Sequence, residues 1–539
     1  MPHDTPSSGL RWNLLDEALI RWRCVAWGDS HRGSLPQLLA ELAADTVRDF
    51  PALRPHQRHP WHAFLAQLAA VALHRADQVV PWTDAADWRT ALLALTPDDA
   101  DGAAWCLVAP PERPALLQSP VLGERVSDWK NVLRAADELD MLVTSKNHDL
   151  KAARARRAEP DDWLYALVSL QTQEGFLGAG NYGISRMNGG FASRPGVGVS
   201  PVGAWGGRWA ADVQTLLAQR ATIADQQGLA AEGGHALLWL IPWAGTESLA
   251  MQSLDPLYVE VCRRVRLEDI GGVPVARVTG SKVARVAAKE RNGITGDPWT
   301  PVDAADGKAL TVSGAGFEYK LMADLLTGGR FTHGAAWRLD GWPRDATLQV
   351  VAQATVRGQG KTEGYHERRV PVSPKLRSRL AGPQRVAVAE MAKQRIAAIA
   401  ALRKLLWSAL VLLFANGDGD DRNDSISDKA GRFARPFEQR EDPRFFDDLA
   451  LEAEAEDADR IALRVQWLLG LVKRAEHVLS EAFEAGPRSG MQRYKARAAA
   501  LGRFHGALRG LKPVLPDLAH HYAQQRREAG AEPEGQHHD

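Results

Sequence analysis

The pattern of apolar residues changes after Pro371, and this change constrains the fold more than any other feature of the sequence. Beyond it, three long Ala- and Leu-rich stretches repeat their apolar residues with helical periodicity and are joined by polar loops: residues 386–414, 457–485 and 490–511. Such a series predicts a C-terminal helical bundle that begins near residue 375.

The chain before this change has a mixed pattern. Residues 34–49 and 61–76 place apolar side chains three and four positions apart, which predicts two amphipathic helices. Residues 236–278 contain short apolar runs separated by Gly and Pro, and residues 346–356 form another such run, as is typical of strands. The sequence therefore predicts an α+β protein with a large mixed α/β N-terminal domain.

Composition limits the class of protein and its compartment. The 539 residues are 45% hydrophobic, which suits two or three globular domains. Because 66 basic residues balance 66 acidic ones, any surface that attracts nucleic acid must be local. Three cysteines without a C-x-x-C spacing and the lack of a signal-like apolar run favour the cytoplasm. The longest apolar stretch, 405–415, is too short for a bilayer and predicts a buried helix, so we expect no membrane partner.

The strand predicted at 346–356 leads into a polar loop, RGQGKTEG, at residues 357–364. Its Gly-Lys-Thr at 360–362 is similar to the end of a phosphate-binding P-loop, but Thr355 occupies the position of the required glycine. Three interpretations stay open at this point. The loop is part of a nucleotide-dependent enzyme, an ordinary hairpin tip of a purely structural scaffold, or a turn that offers Arg357, Gln359 and Lys361 to DNA bases or phosphates.

A second candidate is the glycine segment, residues 178–194. Gly178, Gly180 and Gly183 match the dinucleotide fingerprint in spacing, but no apolar strand precedes them and no helix pattern follows. Gly189 and Gly190 favour close approach of the backbone to a nucleic-acid strand. Polar side chains that suit such contacts accompany them: Asn181, Arg186, Asn188 and Arg194. An ordinary surface loop is the alternative.

Two further groups carry candidate polar chemistry. Lys146, Asn147 and His148 precede a basic run at 151–157, which suits phosphate contacts or forms a solvated charged face. Three histidines at 56, 59 and 62 lack an accompanying carboxylate, and the acidic run at 416–424 fits no calcium-loop register. We therefore predict neither a metal nor a cofactor.

Six segments in order together resemble one family: HQRHPWHAFLAQLA (56–69), TSKNHDLK (144–151), GNYGISRMNGGF (180–191), TGDPWTP (295–301), RGQGKTEGYHER (357–368) and LRGLKP (508–513). The sequence is similar to CasA, the large subunit of type I-E Cascade, the RNA-guided DNA surveillance complex of CRISPR antiviral immunity. The resemblance extends from residue 13 to about residue 513.

The resemblance implies a division into an N-terminal PAM-recognition domain at 1–375, an all-α C-terminal four-helix bundle at 376–525 and a disordered tail at 526–539. It also implies a function without catalysis. The N-terminal domain of the family recognises the protospacer-adjacent motif (PAM) in double-stranded DNA, largely from the minor groove, and inserts a glutamine-bearing hairpin that starts strand separation and R-loop formation.

The family's roles fall on residues of this chain as follows. Gln359 matches the wedge, and Lys361 is its neighbour on the PAM-reading hairpin. The family's glycine loop maps to Asn188, Gly189 and Gly190. A PAM-contacting lysine maps to Lys289, with Lys282 as a rival. The contact with crRNA and neighbouring subunits maps to Lys146, Asn147 and His148. The implied partners are crRNA, the Cascade subunits CasB, CasC, CasD and CasE, target DNA and a helicase-nuclease. A cysteine cluster that suits zinc in some relatives is absent here.

Overall fold

The computed structural model describes residues 10–25, 30–99, 101–140, 158–189, 193–358, 361–419, 423–510 and 513–529, and the side chains of 358, 361, 362, 526, 528 and 529 lie outside this description. The chain forms two compact units. The N-terminal unit consists of Met1–Phe317 and Arg330–Pro374, and the C-terminal unit consists of Glu318–Gly329 and Lys375–Asp539.

Helices of the N-terminal unit surround one central helix. Within the described residues they are α1 (Leu35–Ala43), α2 (Arg58–Arg75), α3 (Ala85–Ala94), α4 (Ala136–Leu139), α5 (Pro160–Gln173) and α6 (Trp205–Gln227). Ser34 caps α1 in a capping box with Gln37, which satisfies exposed amides at the helix start. Helix α2 is buried from His59 to Leu73, since α5 and α6 pack against it. The predicted helix is therefore present, but it is a core helix rather than an amphipathic one.

The strands of this unit form several small sheets. In the described part of the chain they are β1 (Ile20–Cys24), β2 (Ser30–Gly33), β3 (Val47–Asp49), β4 (Asn131–Leu133), β5 (Gly196–Pro201), β6 (His235–Leu237), β7 (Leu254–Val259), β8 (Arg264–Asp269), β9 (Pro274–Thr279), β10 (Val302–Asp303), β11 (Lys308–Ala309), β12 (Phe331–Thr332), β13 (Leu348–Gly358) and β14 (Lys361–Val372). The sheet orders are β2-β1-β3, β4-β9-β8, β6-β7, β11-β10-β12 and β14-β13-β5. The last of these contains the strand predicted at 346–356.

The C-terminal unit is helical. Its described helices are α7 (Tyr319–Thr327), α8 (Pro374–Ala381), α9 (Arg385–Phe414), α10 (Asp424–Glu441), α11 (Phe445–Glu454), α12 (Asp457–Ala482), α13 (Gly490–Arg509) and α14 (Pro516–Ala529). Helix α9 packs against α10, α12 and α13, and it contains the predicted buried stretch, with Leu405, Leu406 and Leu410 buried.

By length and composition alone, α9 is the one helix among the described residues that could cross a membrane. Half of its most apolar segment is buried inside the protein, as in the core helix of a bundle.

The structure confirms the expected class: a mixed α+β N-terminal part and a helical C-terminal part. Two details differ. Helix α7 groups with the C-terminal unit although the sequence division assigned it to the N-terminal domain. Helix α14 continues to Ala529, so the first residues assigned to a disordered tail are helical.

Candidate nucleic-acid interface

The candidate loop lies at the end of a long antiparallel hairpin. Strands β13 and β14 pair from Leu348 with Val372 to Gly358 with Lys361, and a bulge follows Val356. The two residues between Gly358 and Lys361 in the sequence, Gln359 and Gly360, lie outside the described residues, as do the side chains of Lys361 and Thr362. The roles of Gln359 and Lys361 therefore stay predictions.

The backbone at Lys361 bears on the nucleotide alternative. A P-loop lysine opens a helix whose first amides bind phosphate. Here Lys361 is the first residue of strand β14. Because Lys361 opens a strand rather than a helix, the backbone geometry opposes the P-loop interpretation of Gly360, Lys361 and Thr362.

A buried ion pair holds the base of the hairpin tip. Nη1 of Arg357 lies 2.5 Å from Oε1 of Glu174, and the two side chains are only 5% and 1% exposed. Burial raises the pKa of Glu174, and the positive charge of Arg357 offsets part of that rise. The sequence predicted that Arg357 contacts DNA from an exposed turn. Its burial against Glu174 corrects this interpretation and favours an anchoring role for Arg357.

The glycine segment runs beside the outer end of β13. The Ser193 N–H donates to the Thr355 carbonyl (2.8 Å), and the Thr355 N–H donates to Ser193 Oγ (2.6 Å). Gly189 is exposed with φ +86°, a conformation that glycine adopts without steric cost. Gly190 lies outside the described residues. The segment and the hairpin that were singled out separately in sequence are thus neighbours.

Two arginines of this segment are buried rather than available for nucleic acid. Arg186 lies 4.1 Å over the ring of Tyr258 and donates to its carbonyl (2.9 Å). Arg194 forms an ion pair with Asp297, and the two side chains are 1% and 2% exposed. Burial acts to raise the pKa of Asp297, but Arg194 and Arg186 outweigh it and hold that pKa at about 2. The sequence interpretation of both arginines as nucleic-acid contacts is wrong, because they anchor the segment.

The turn that carries Lys289 is joined to the same segment. Lys289 is exposed at the start of a short 3-10 helix that ends before Asn292. The Ala309 N–H donates to the Asn292 carbonyl (3.0 Å), and Asn188 Nδ2 donates to the Ala309 carbonyl (2.8 Å). Strand β11 therefore connects Asn188 to the Lys289 turn.

Gly293 makes this junction close, since a Cβ at its position would lie 2.8 Å from the Met187 carbonyl carbon. The rival Lys282 is also exposed and follows Ser281, whose N–H donates to the Gly180 carbonyl (3.0 Å). The structure thus places both lysines near the glycine segment.

The remaining candidates behave differently. Lys146, Asn147 and His148 lie outside the described residues. His56 contacts Asp140 (2.8 Å) and His62 contacts Asp212 (2.7 Å). Across the described ranges no group of three potential metal ligands occurs.

Sequence reasoning missed the residues that join these elements. Glu174, Ser193 and Ala309 form the contacts described above, but each bonds a partner more than 100 positions away. The one local indication of these contacts was Glu174, a single acidic residue at the end of an apolar helix.

Comparison with known proteins identifies the fold. No protein-family model matches the chain, and no curated protein sequence matches it. Solved structures match over nearly its whole length. The CRISPR-associated protein Cse1 from Acidimicrobium ferrooxidans is 15% identical with a TM-score of 0.61 and covers 95% of this chain and 99% of its own. Thermobifida fusca Cse1 is 15% identical with a TM-score of 0.63, covering 94% of this chain and 98% of its own.

Thermus thermophilus CasA (Cse1) is 16% identical with a TM-score of 0.59, covering 92% of this chain and 98% of its own. A likeness at this level of identity establishes architecture, and the chain has the fold of the Cse1 (CasA) proteins.

Proposed function

We propose that this chain is the non-catalytic large subunit of a type I-E Cascade and that it recognises the PAM in double-stranded DNA. The observation that carries the proposal is the contact path from β13 through Ser193 to the glycine segment, and from Asn188 through Ala309 to the Lys289 turn. Three elements that are distant in sequence and that the family resemblance assigns to PAM recognition meet in one region of a Cse1 fold.

The proposed division of labour fits a chain with no net charge. Base pairing with the guide reads most of the target sequence, so the protein needs only a local DNA-binding surface. The minor groove distinguishes few base pairs, and we therefore expect tolerance of several PAM sequences. Gln359 then enters the duplex as a wedge beside Lys361, and the unstacking cost of a few kcal/mol is offset by contacts elsewhere.

A wedge can separate the strands only if the structure that supports it is rigid. The bulged end of β13 is held by the buried pair of Arg357 and Glu174 and by the two hydrogen bonds between Ser193 and Thr355. These contacts supply a stiff base for the hairpin, which is the role that we assign to Arg357.

The remaining assignments follow from the same proposal. The partners are crRNA, bound with neighbouring subunits through Lys146, Asn147 and His148, the subunits CasB, CasC, CasD and CasE, and a helicase-nuclease that the complex recruits. The complex acts in the cytoplasm.

The test uses the guide-loaded complex and two duplexes that differ only in the PAM. Strand separation is followed with 2-aminopurine next to the PAM, and binding is measured at one fixed salt concentration. We expect Gln359→Ala to slow separation by about tenfold while PAM-dependent binding persists. Lys361→Ala and Lys289→Ala should weaken binding to the PAM duplex.

Matched controls come from exposed residues of the same unit, Gln78→Ala and Lys130→Ala. If all three site variants behave as the controls do, the site assignment is wrong, and a scaffold role explains the fold better. Binding of ATP at micromolar concentration that Lys361→Ala abolishes would instead support a nucleotide-dependent enzyme.

A further inference from the structure

A cavity of about 340 Å³ lies in the N-terminal unit on one face of the β14-β13-β5 sheet. Its wall includes arginines from five different elements: Arg23 of β1, Arg48 of β3, Arg58 of α2, Arg208 of α6 and Arg369 of β14. We call it the basic cavity. The arginines are far apart in sequence, so no local pattern reveals the cluster.

Small residues on β5 let buried side chains approach this face of the sheet. Along the strand, Gly196, Gly198 and Ser200 alternate with buried valines and pair with Gln353, Val351 and Gln349 of β13. A Cβ at Gly198 would lie 3.5 Å from Nη2 of Arg208. The alternation therefore lets a guanidinium approach the face of the sheet.

The arginines outnumber the carboxylates that pair with them. Two of the carboxylates are each shared by two arginines: Asp49 by Arg23 (2.6 Å) and Arg48 (3.3 Å), and Glu367 by Arg369 (2.6 Å) and Arg58 (3.7 Å). Asp212 lies 3.8 Å from Arg208, and Asp45 accepts the Gly207 N–H at the start of α6. Among the described residues, these four carboxylates, Asp45 included, stand against five arginines, so the count leaves one positive charge in excess.

Arg208 also has unsatisfied hydrogen-bond donors. Its side chain is 13% exposed, and its Nε and Nη2 are buried without a hydrogen-bond partner among the described residues. Oδ2 of Asp212 is already bonded to His62 (2.7 Å) and Trp299 (3.0 Å). Burial lowers the pKa of Arg208; Asp212 opposes the change, and Arg369 lowers the pKa further. Buried donors of this kind are normally satisfied by water or an ion.

We propose that the basic cavity binds a phosphate group. The planar guanidinium binds phosphate oxygens in a fork, and a bound dianion would neutralise the repulsion between Arg208 and Arg369. The volume is within the usual range of ligand pockets, roughly 300–1,000 Å³, so a phosphate with an attached sugar fits. Gln349, Gln353 and Ser200 in the wall supply uncharged partners for sugar hydroxyls.

This site is distinct from the proposed PAM interface. Gln353 precedes Gly358 by five residues, which is about 17 Å along a strand. The phosphate comes from a nucleic-acid backbone or from a free phosphate compound, and both sources share the chemistry that the arginines recognise.

The experiment uses the full chain without guide RNA or duplex DNA, so its result does not depend on PAM recognition. Inorganic phosphate is titrated by calorimetry against chloride at constant ionic strength, and a single-stranded oligonucleotide without a terminal phosphate is added as competitor. We expect saturable phosphate binding that weakens by at least about tenfold in Arg58→Ala and in Arg369→Ala. Arg125→Ala, with an 83% exposed arginine in the same unit, is the control.

Arg58 and Arg369 are 42% and 44% exposed, so their replacement leaves the core intact, whereas Arg208 is 13% exposed and its replacement would disturb folding. Competition by the oligonucleotide identifies a backbone phosphate as the ligand, and binding without competition identifies a free phosphate compound. Absence of phosphate binding, or equal binding by the cavity variants and Arg125→Ala, would overturn the proposal.

Discussion

Replacing Asp297 by Asn tests whether a buried ion pair fixes the glycine segment. Asp297 pairs with Arg194, accepts the Trp299 N–H (2.9 Å) and accepts the Thr300 hydroxyl (3.1 Å). The Asn variant keeps the size of the side chain and removes its charge. Burial lowers the pKa of Arg194, and Asp297 is the carboxylate that offsets this effect. The variant therefore leaves a buried guanidinium without its counter-charge.

The expected loss of stability follows from two independent estimates. Removing one partner of a buried ion pair typically costs about 3–5 kcal/mol. The pKa of Asp297 falls from 3.8 to about 2 on folding. That shift corresponds to about 2 kcal/mol of stability, which is present above pH ~4 and is lost as the pH falls through about 2. We expect Asp297→Asn to lower the free energy of unfolding by about 2–5 kcal/mol at pH 7.

Urea unfolding followed by tryptophan fluorescence measures this loss. Sixteen of the 18 tryptophans precede residue 375, so the signal reports mainly on the N-terminal unit. Asp128→Asn is the control, because Asp128 is 62% exposed in its pair with Arg125 and should change stability by less than about 1 kcal/mol. Arg194→Met and the double variant complete a cycle that isolates the pair.

Two results would refute the reasoning. One is a loss below about 1 kcal/mol in Asp297→Asn, which would mean that the buried charge is compensated in another way. The other is an undiminished loss when Arg194 is already Met, which would locate the effect in the hydrogen bonds to Trp299 and Thr300 rather than in the ion pair.

Three further perturbations address neighbouring features. Gly189→Ala, with open space around it, should lower the free energy of unfolding only by the backbone strain, about 1–2 kcal/mol. Gly293→Ala should cost about 1–3 kcal/mol beyond such strain, because its methyl group meets Met187. Equal losses in urea unfolding would contradict this contrast. Burial, which outweighs the hydrogen bond that His62 donates to Asp212, lowers the pKa of His62 from 6.5 to about 4. Because that pKa is depressed, the stabilisation is present above pH 6.5 and is lost as the pH falls towards 4. His62→Gln should therefore reduce the change in the free energy of unfolding over this pH range by about 3 kcal/mol. An unchanged pH dependence would count against this reasoning. Dialysis against EDTA should leave the Tm unchanged, since no ligand cluster occurs in the described ranges, and a drop in Tm would reveal a structural metal.

Strong periodicity made much of the fold predictable. Helices α1, α2, α9, α12 and α13 correspond to stretches in which apolar residues recur over several turns. Helix α10 escaped prediction because few of its residues are apolar and buried, among them Ala430, Ala434 and Phe437, and because Pro436 lies inside it. Its place is determined by packing against α9 rather than by its own pattern.

The candidate site was predictable in its parts but not in its arrangement. The resemblance selected the hairpin, the glycine segment and Lys289, yet the contacts that join them span 162 residues between Ser193 and Thr355 and 121 between Asn188 and Ala309. For Arg194, the sequence indicated an exposed contact where the structure has a buried ion pair. A charged residue in a glycine-rich stretch has the sequence pattern of an exposed contact, and its carboxylate partner lies 103 positions away.

Helix α7 has a consequence for how the chain is made. The ribosome completes Tyr319–Thr327 well before the residues that cover it, because the Tyr319 hydroxyl bonds Glu438, 119 positions later. At 5–20 residues per second this interval lasts roughly 6–24 s. Until α9 (Arg385–Phe414) has been synthesised, in the earlier part of this interval, Met322, Leu325 and Leu326 lack the helix that packs on them. Newly made chains therefore pass through a stage with an exposed apolar helix, during which they are prone to aggregate and suited to binding by a chaperone.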